Sequence, residues 1–460
     1  MKEAATPVRE AFVKGLRDQF DPHHNADRLT LAYNLRPYAG GSRLQQVPEP
    51  IVNGVYTRDW PFPQLYLNSV GFFLCSRASI SHFSSIFEPY STLAVAGGGA
   101  WSVADFGKYA FLCNGVARAY IVPATGLLAL HTGGTVPVAT ACCDFNRGQL
   151  ILGGIQQDWY DCGENYVAWS GVGKASCMPA DNTEAGYMPM DFDGPIYCVK
   201  QLGQHIMVYG EQGICSMTPT TQPVATWGLR TFDIYGVPSR TAVAGDKKNH
   251  YFVDTAGDLW RLTANMELIR LGGKHFITRV STQVVVSHHA RRDEVYVSGN
   301  EYHYVRTKDG WGGPNYVPIS GAAYFKPRER PIGGLAVVPV KAVPDGLSEV
   351  HFITDTINFE RAAIKALQWI EVQCTVDGQE ASAAVDYKYN TTDLWSTSGW
   401  YPLNQEGVAH IPVAGIEFRV HVRVYSPTMF KVDALRLRWK TGDNRFSRGL
   451  EVPMRGGSDE

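Results

Sequence analysis

What the chain is short of narrows its class before any motif is sought. It carries 42 Lys and Arg against 44 Asp and Glu, a formal net charge of −2. That balance gives no general attraction to nucleic acid or to an anionic membrane, so any contact with DNA is expected to be local and transient. No run approaches the roughly 18 uninterrupted apolar residues of a membrane-spanning helix. The opening Met1-Lys2-Glu3 has no apolar core of a secretory signal, so a soluble protein made in a cytosol is expected. The nine cysteines form no Cys-x-x-Cys pair. Cys75, Cys113, Cys198, Cys215 and Cys374 sit in apolar runs, which points to reduced, buried thiols.

Catalytic and metal-binding patterns are missing as well. There is no Gly-x-Ser-x-Gly and no His-Glu-x-x-His, and no Ser, His and Asp arrangement stands out. Gly171-Val172-Gly173-Lys174 invites a phosphate-loop reading, but Ala168 and Ala175 occupy the places that need Gly and Ser or Thr. Asp191-Phe192-Asp193-Gly194 resembles the start of a calcium loop, yet Val199-Lys200 ends the run where a Glu is needed, so a surface turn is expected. His288 and His289 are neighbours on a strand and point to opposite faces, so they cannot chelate one ion together; solvated or satisfied histidines are expected. Thr391 to Trp400 holds Asp393 and two tryptophans, faintly like a sialidase Asp-box without its Gly pair. The expectation is a protein that is not an enzyme and holds no cofactor or metal.

What is there is β structure. Only 19% of residues are charged, against 12% aromatic, 46 Gly and 26 Pro, a turn-rich globular composition. The length of 460 residues favours two or three domains. From Tyr197 to Thr307 three units share one pattern. Their strong strands are Ile206-Met207-Val208, Tyr251-Phe252-Val253 and Val295-Tyr296-Val297, 45 and 44 positions apart. Each precedes turn residues (Gly210 to Gly213, Thr255 to Asp258, Ser298 to Glu301) and a further strand. That period suits a four-stranded propeller blade. Weaker echoes at Phe73-Leu74-Cys75, Phe111-Leu112-Cys113 and Leu150-Ile151-Leu152 give six units over about 65–325, with five to seven as the range. The interval from 150 to 206 is longer, and Trp159 to Phe192 reads as an insertion.

The flanks differ. Thr6 and Pro7 suit a helix start, and Val8, Phe12, Leu16 and Phe20 recur every four residues, a stripe read as a helix that folds back or docks on another subunit. Pro327 to Pro344 reads as a Pro-rich bridge. Beyond it Phe418, Val420, Val422 and Val424 alternate with Arg419, His421, Arg423 and Tyr425, one buried and one wet face of a β-sandwich. The division expected is 1–64 helix and extended lead-in, 65–326 propeller, 327–345 bridge, 346–441 sandwich and 442–460 polar tail. Arg419, Arg423, Lys431, Arg436, Arg438 and Lys440, with Arg445 and Arg448, form a basic cluster. It is read as a solvated face or as an interface for an acidic partner or phosphates.

The layout of lead-in (Tyr33-Asn34-Leu35-Arg36-Pro37), propeller and sandwich ending in Phe418 to Trp439 resembles the tail hub, or nozzle, proteins of short-tailed bacteriophages. Within these the similarity points to the packaged-DNA stabilisation family. The resemblance rests on architecture and loose pattern over most of the chain. It implies a structural virion protein of the tail, assembled in the host cytoplasm as a ring, commonly of six copies. Such a ring lies below the portal and head-to-tail adaptor, continues the DNA channel, helps retain packaged genome and presents sites for tail fibres or a needle. Contact with the packaged double-stranded DNA is transient and non-specific, and the chain inserts in no membrane. The competing reading, from the abundance of Trp and Tyr, is a carbohydrate-binding or lectin-like propeller.

Overall fold

The structure, a computed structural model, describes residues 29–38, 43–47, 64–68, 71–83, 90–220 (without 96, 108, 147, 157–158 and 181–182), 226–277, 284–315 (without 291 and 300–302), 319–325, 332–337, 348–374 (without 359–363) and 380–441 (without 427–430). The N-terminal stripe Val8, Phe12, Leu16 and Phe20, and the tail from 442, lie outside the described residues. The chain divides into two compact units, one of 49–305 with 316–342, the other of 1–48, 306–315 and 343–460.

Each strong strand seen in the sequence is the second strand of a four-stranded antiparallel sheet. These second strands are Gly71–Cys75, Ala110–Cys113, Gln149–Ile155, His205–Gly210, Asn249–Val253 and Glu294–Ser298. In every sheet the strands follow one another in chain order, as in a propeller blade. The innermost strands are Gln64–Asn68, Ser102–Asp105, Ala139–Phe145, Ile196–Leu202, Val243–Gly245 and Val285–His289. A two-stranded sheet, Ile319–Phe325 with Ile332–Val337, follows the sixth blade. Its first strand lies beside the innermost strands of the sixth and first blades, which closes the ring. The fold is therefore an all-β propeller of six full blades and a two-stranded seventh among the described residues. Helix there is confined to the single turns Lys274–Ile277 and Arg240–Ala242.

The reason for the uninterrupted apolar runs lies between the blades. Side chains of one second strand alternate between two different cores. Leu112 packs with Phe73, Cys75, Ile80 and Trp101 towards the first blade, whereas Phe111 and Cys113 pack with Leu150, Leu152 and Ala168 of the third. Ile151 points the other way, to Ile206, Val208 and Trp227 of the fourth. Met207 and Tyr209 in turn meet Phe252 and Leu262 of the fifth. Both faces of these strands are buried, so the period-2 alternation of a half-exposed strand disappears.

Two expectations need correction. The stretch read as an insertion, Trp159 to Phe192, contains the third and fourth strands of the third blade, Tyr166–Trp169 and Gly186–Pro189. Only the long connection between them stretched the repeat. The run read as a bridge contains the strand Ile332–Val337 and belongs to the propeller unit up to residue 342.

The second unit is a pair of antiparallel sheets, the expected sandwich. One runs in the order Leu29–Tyr33, Ser348–Thr354, Glu417–Ser426, Glu380–Lys388, with the short strands Ser396–Thr397 and Tyr401–Pro402 along the last. The other runs Leu35–Tyr38, Arg43–Gln46, Lys431–Thr441, Lys365–Cys374, with Val408–Ala409 and Ala414–Gly415 along its edge. The part of the lead-in from 29 to 47 is thus built into the sandwich rather than standing apart. Leu29, Ala32, Leu35 and Leu44 have no exposed surface. Phe418, Val420, Val422 and Val424 are buried as the alternation predicts.

Leu112 is fully buried between two blades, while Val116 in the following turn is 60% exposed. Leu112→Ala is expected to cost about 2–5 kcal/mol, through lost burial and the cavity left behind. Val116→Ala should change stability by less than about 0.5 kcal/mol. Urea midpoints of the two variants test this; equal midpoints would show that the inter-blade packing is not what holds the fold.

Candidate functional site

On the outward face of strand Glu417–Ser426 the alternation leaves Arg419, His421, Arg423 and Tyr425 half-buried. The strand's register sets their neighbours: Arg423 lies between His351 and Ser382, and His421 between Ile353 and Ala384. The chain then folds over this face. Asp393 accepts the Asn390 amide at 2.8 Å, which tightens the turn after Glu380–Lys388 and sends 395–402 back along the sheet. The return brings two tryptophans onto the two arginines. The Arg419 guanidinium lies 4.2 Å from the Trp395 ring centre, with the Lys388 ammonium 4.7 Å from the same ring. Arg423 lies 4.4 Å from the centre of Trp400 and 5.5 Å from that of Tyr425. Such pairs contribute about 0.5–1 kcal/mol when exposed and more when desolvated.

A polar brace holds the strip in place. Asp386 accepts from His421 Nε2 at 2.8 Å and from the Thr397 hydroxyl at 2.7 Å. His351 rests against Trp400 and His421, each 5.8 Å between ring centres. Burial, reinforced by its neighbours His421 and Arg423, brings its pKa down to about 4. His351 is therefore neutral at pH 7, and the arginines carry the charge of the strip. Beside it the turn exposes Leu394 (90%), Tyr389 (50%) and Trp400 (41%).

The six basic residues read as one cluster, a solvated face or an interface, belong to two different sheets. Arg419 and Arg423 belong to this sheet, whereas Lys431, Arg436, Arg438 and Lys440 line strand Lys431–Thr441 of the other. There Arg436 is paired with Glu371 at 3.2 Å, and Asp433 is taken by Arg43 at 3.1 Å. Spacing along the sequence could not separate the two strands, because strands close together in the chain can join different sheets. The tryptophans were visible only as a weak Asp-box, and nothing local marked them as partners of arginines some 23 positions on.

The propeller holds a second feature that sequence reasoning missed. Arg240 leaves the one-turn helix before the fifth blade and donates from Nη1 to the Asn114 carbonyl at 2.7 Å, in the second blade. Its electrostatic neighbours include Tyr66, Glu164 and Tyr197, from the first, third and fourth blades. Its hydrogen bond thus ties the fifth blade to the second. Gly99 and Gly115 are small for this reason, since a Cβ on Gly99 would stand 2.6 Å from Nη1. Burial lowers the Arg240 pKa, though a guanidinium stays charged.

The other weighed motifs are structural. Gly171 to Lys174 is a turn, with the Gly173 amide on the Gly148 carbonyl at 2.7 Å. Phe192 of the Asp191–Asp193 turn packs against Gly210 and Gly213. His289 is buried rather than solvated, and its Nδ1 accepts the Arg292 amide at 3.3 Å. The His288 side chain is 6% exposed and lies against Tyr251 at 4.7 Å. Among the described residues no group of three His, Cys, Asp or Glu could hold a metal ion.

These features define a β-propeller protein with a β-sandwich unit whose outer face carries an arginine–tryptophan strip. No family model matches the chain, and no curated protein matches it. Solved structures similar to it are propellers or propeller-containing proteins. The WD40 domain of Neurospora crassa Pan2 is 8% identical, over 58% of this chain and 79% of that one, with a TM-score of 0.36. BamB from Moraxella catarrhalis is 10% identical, over 80% and 94%, at 0.34. PorZ, a surface component of the type-IX secretion system of Porphyromonas gingivalis, is 10% identical, over 73% and 45%, at 0.38. Likenesses this distant carry nothing about function, and the propeller rests on the chain's own sheet order.

Three histidines, two buried and one half-buried, set an expected pH dependence. Burial holds His250 at about 3 and His303 and His351 at about 4, below the unfolded value of about 6.5. The unfolded chain therefore binds protons first as pH falls. Stability is full above pH ~6.5 and is lost progressively towards pH 3, by up to about 1.4 kcal/mol per unit for fully buried His250. His250 also accepts the Tyr209 hydroxyl at Nδ1 (2.8 Å) while Nε2 faces the Gln201 carbonyl at 3.1 Å. Urea melts between pH 7 and 4 should show the loss, with a shallower slope in His250→Gln; an unchanged slope in that variant would contradict it.

Proposed function

We propose that this chain is a structural protein of a short-tailed phage virion, a tail hub or nozzle subunit that acts without catalysing a reaction. Copies of it form a ring, six-fold by the resemblance, below the portal and head-to-tail adaptor. The ring continues the DNA channel, helps retain the packaged genome and offers sites for tail fibres or a needle. The observation that carries the reading is the strip of Trp395, Arg419, Trp400 and Arg423 beside exposed Leu394 and Tyr389. Trp, Tyr and Arg held rigid on a sheet face are the composition of a protein–protein interface core, and β units of this kind change little on assembly.

Charge supports retention by closure rather than by grip. A basic sleeve would attract the duplex through counterion release, and each neutralised phosphate steepens the salt dependence by roughly 0.9 in log–log slope. A chain with net charge −2, repeated round a ring, makes no continuous sleeve of that kind. Its contact with DNA is weak, transient and not sequence-specific.

Two measurements test this. Particles assembled without the protein should package DNA and then lose it; stable, full particles without it would remove the hub role. The purified chain should form a closed ring by mass measurement, alone or on the adaptor. Trp400→Ala with Arg423→Ala should weaken ring formation at least about tenfold, an interface loss of roughly 1.4 kcal/mol or more. Rings formed equally well by the double variant would exclude this strip as the contact.

A further inference from the structure

The outer rim of the third blade carries a cluster of aromatic rings. Residues Trp159 to Cys162 form a tight turn, closed by the Cys162 amide on the Trp159 carbonyl at 3.0 Å. Both central residues are left-handed, Tyr160 at φ 49° and Asp161 at φ 52°. That is the backbone of a type I′ turn, whose central places are ordinarily taken by Asn and Gly. A tyrosine there is strained, and strain of this kind is kept where it serves a site.

The strained turn turns the Tyr160 ring outward, 48% exposed, onto Tyr187 of the outermost strand. The two rings lie 5.7 Å apart and only 23° from parallel. Trp159 stands edge-on to both, at 4.8 Å and 5.6 Å, with its other side against the core of the second and third blades. At these separations the rings touch, so no cation fits between them as in a cage. A ligand can only lie on their outer faces, which form a platform.

The surroundings select the chemistry. Between residues 148 and 199 the chain has one basic residue, Lys174, against seven carboxylates: Asp158, Asp161, Glu164, Asp181, Glu184, Asp191 and Asp193. Phosphates and nucleic acid are repelled from such a segment. A neutral polyhydroxylated ring suits it, with its C–H face on the aromatic faces and its hydroxyls donating to a carboxylate. Asp161 is the carboxylate next to Tyr160 in the same turn. Among the described strands Gly186–Pro189 pairs only with Tyr166–Trp169, so its outer edge offers further backbone donors and acceptors.

We propose that Trp159, Tyr160 and Tyr187, with Asp161, form a saccharide-binding platform for a neutral oligosaccharide on the rim of the third blade. The site does not rest on the hub reading, because it is complete in one chain, and its test is separate from ring assembly.

The test applies the full chain to an array of neutral and acidic oligosaccharides at low and high salt, alongside three variants. The wild-type chain should bind a neutral oligosaccharide with little salt dependence. Tyr160→Gly and Tyr187→Ser should each bind at least about tenfold more weakly, as loss of an aromatic anchor does. Tyr235→Ser, at a residue 66% exposed in the connection after the fourth blade, should bind as wild type does. Tyr160→Gly should also melt no lower than wild type, since Gly relieves the left-handed strain. Absence of any binding above that of Tyr160→Gly overturns the proposal. Binding only of cationic ligands, weakened by salt, overturns it in favour of a basic partner. A clearly lower melting temperature for Tyr160→Gly would make the ring a packing residue and remove the strain argument.

Discussion

Everything in the propeller depends on one constraint: no blade owns a core. Phe111 and Leu112 are adjacent on one strand, yet they serve two different clusters, one shared with the third blade and one with the first. A single four-stranded sheet would leave both faces wet, so blades are stable only as neighbours, and the series must close on itself. Closure falls to the two strands after the sixth blade, where Ile319–Phe325 runs between the last and first innermost strands. The polar groups at the seams are satisfied the same way, across blades. The Thr140 hydroxyl donates to the Ile196 carbonyl at 2.7 Å, and that of Ser102 to the Cys142 carbonyl at 2.8 Å. Arg240 extends the principle from the fifth blade to the second, where a guanidinium fills the space left by two glycines.

The sandwich obeys a different rule, and the difference explains where function can sit. Its strands bury one face only, so the alternate residues of Glu417–Ser426 remain available. Arginine is suited to such a place because its planar head can lie on an indole while its stem covers the sheet. The return of 395–402 along the edge of the sheet supplies the indoles. His351 contributes by staying neutral, so that it adds no positive charge beside Arg423. The strip is thereby a rigid surface of alternating cation and ring, and it suits a partner's surface better than it suits a reacting group.

Much of the fold was legible because the repeat is a repeat of burial. Six apolar triplets from Phe73 to Val297 each mark a second strand, which is paired along both edges and covered on both faces. The site was less legible. Arg419 and Arg423 could be named from the alternation, but their grouping with Lys431 to Lys440 failed, because charge spacing along a chain says nothing about which sheet a strand joins. Arg240 and Tyr160 gave no local signal at all: one acts some 126 positions away, at Asn114, and the other matters through a backbone angle.

The sequence by itself determined the class of structure, since strand length, turn residues and two-sided hydrophobicity are properties of neighbouring residues. It also determined the wet and buried faces of Glu417–Ser426, which follow from the period of a pleated strand. Tertiary structure alone decided that strands from both ends of the chain build one sandwich, as Leu29–Tyr33 pairing with Ser348–Thr354 shows. It alone decided that Trp395 and Trp400 would cover two arginines, and that one guanidinium would reach from the fifth blade to the Asn114 carbonyl of the second. Each of these is a contact between residues far apart in the chain, and such contacts form only when the burial of many other residues has brought the segments together.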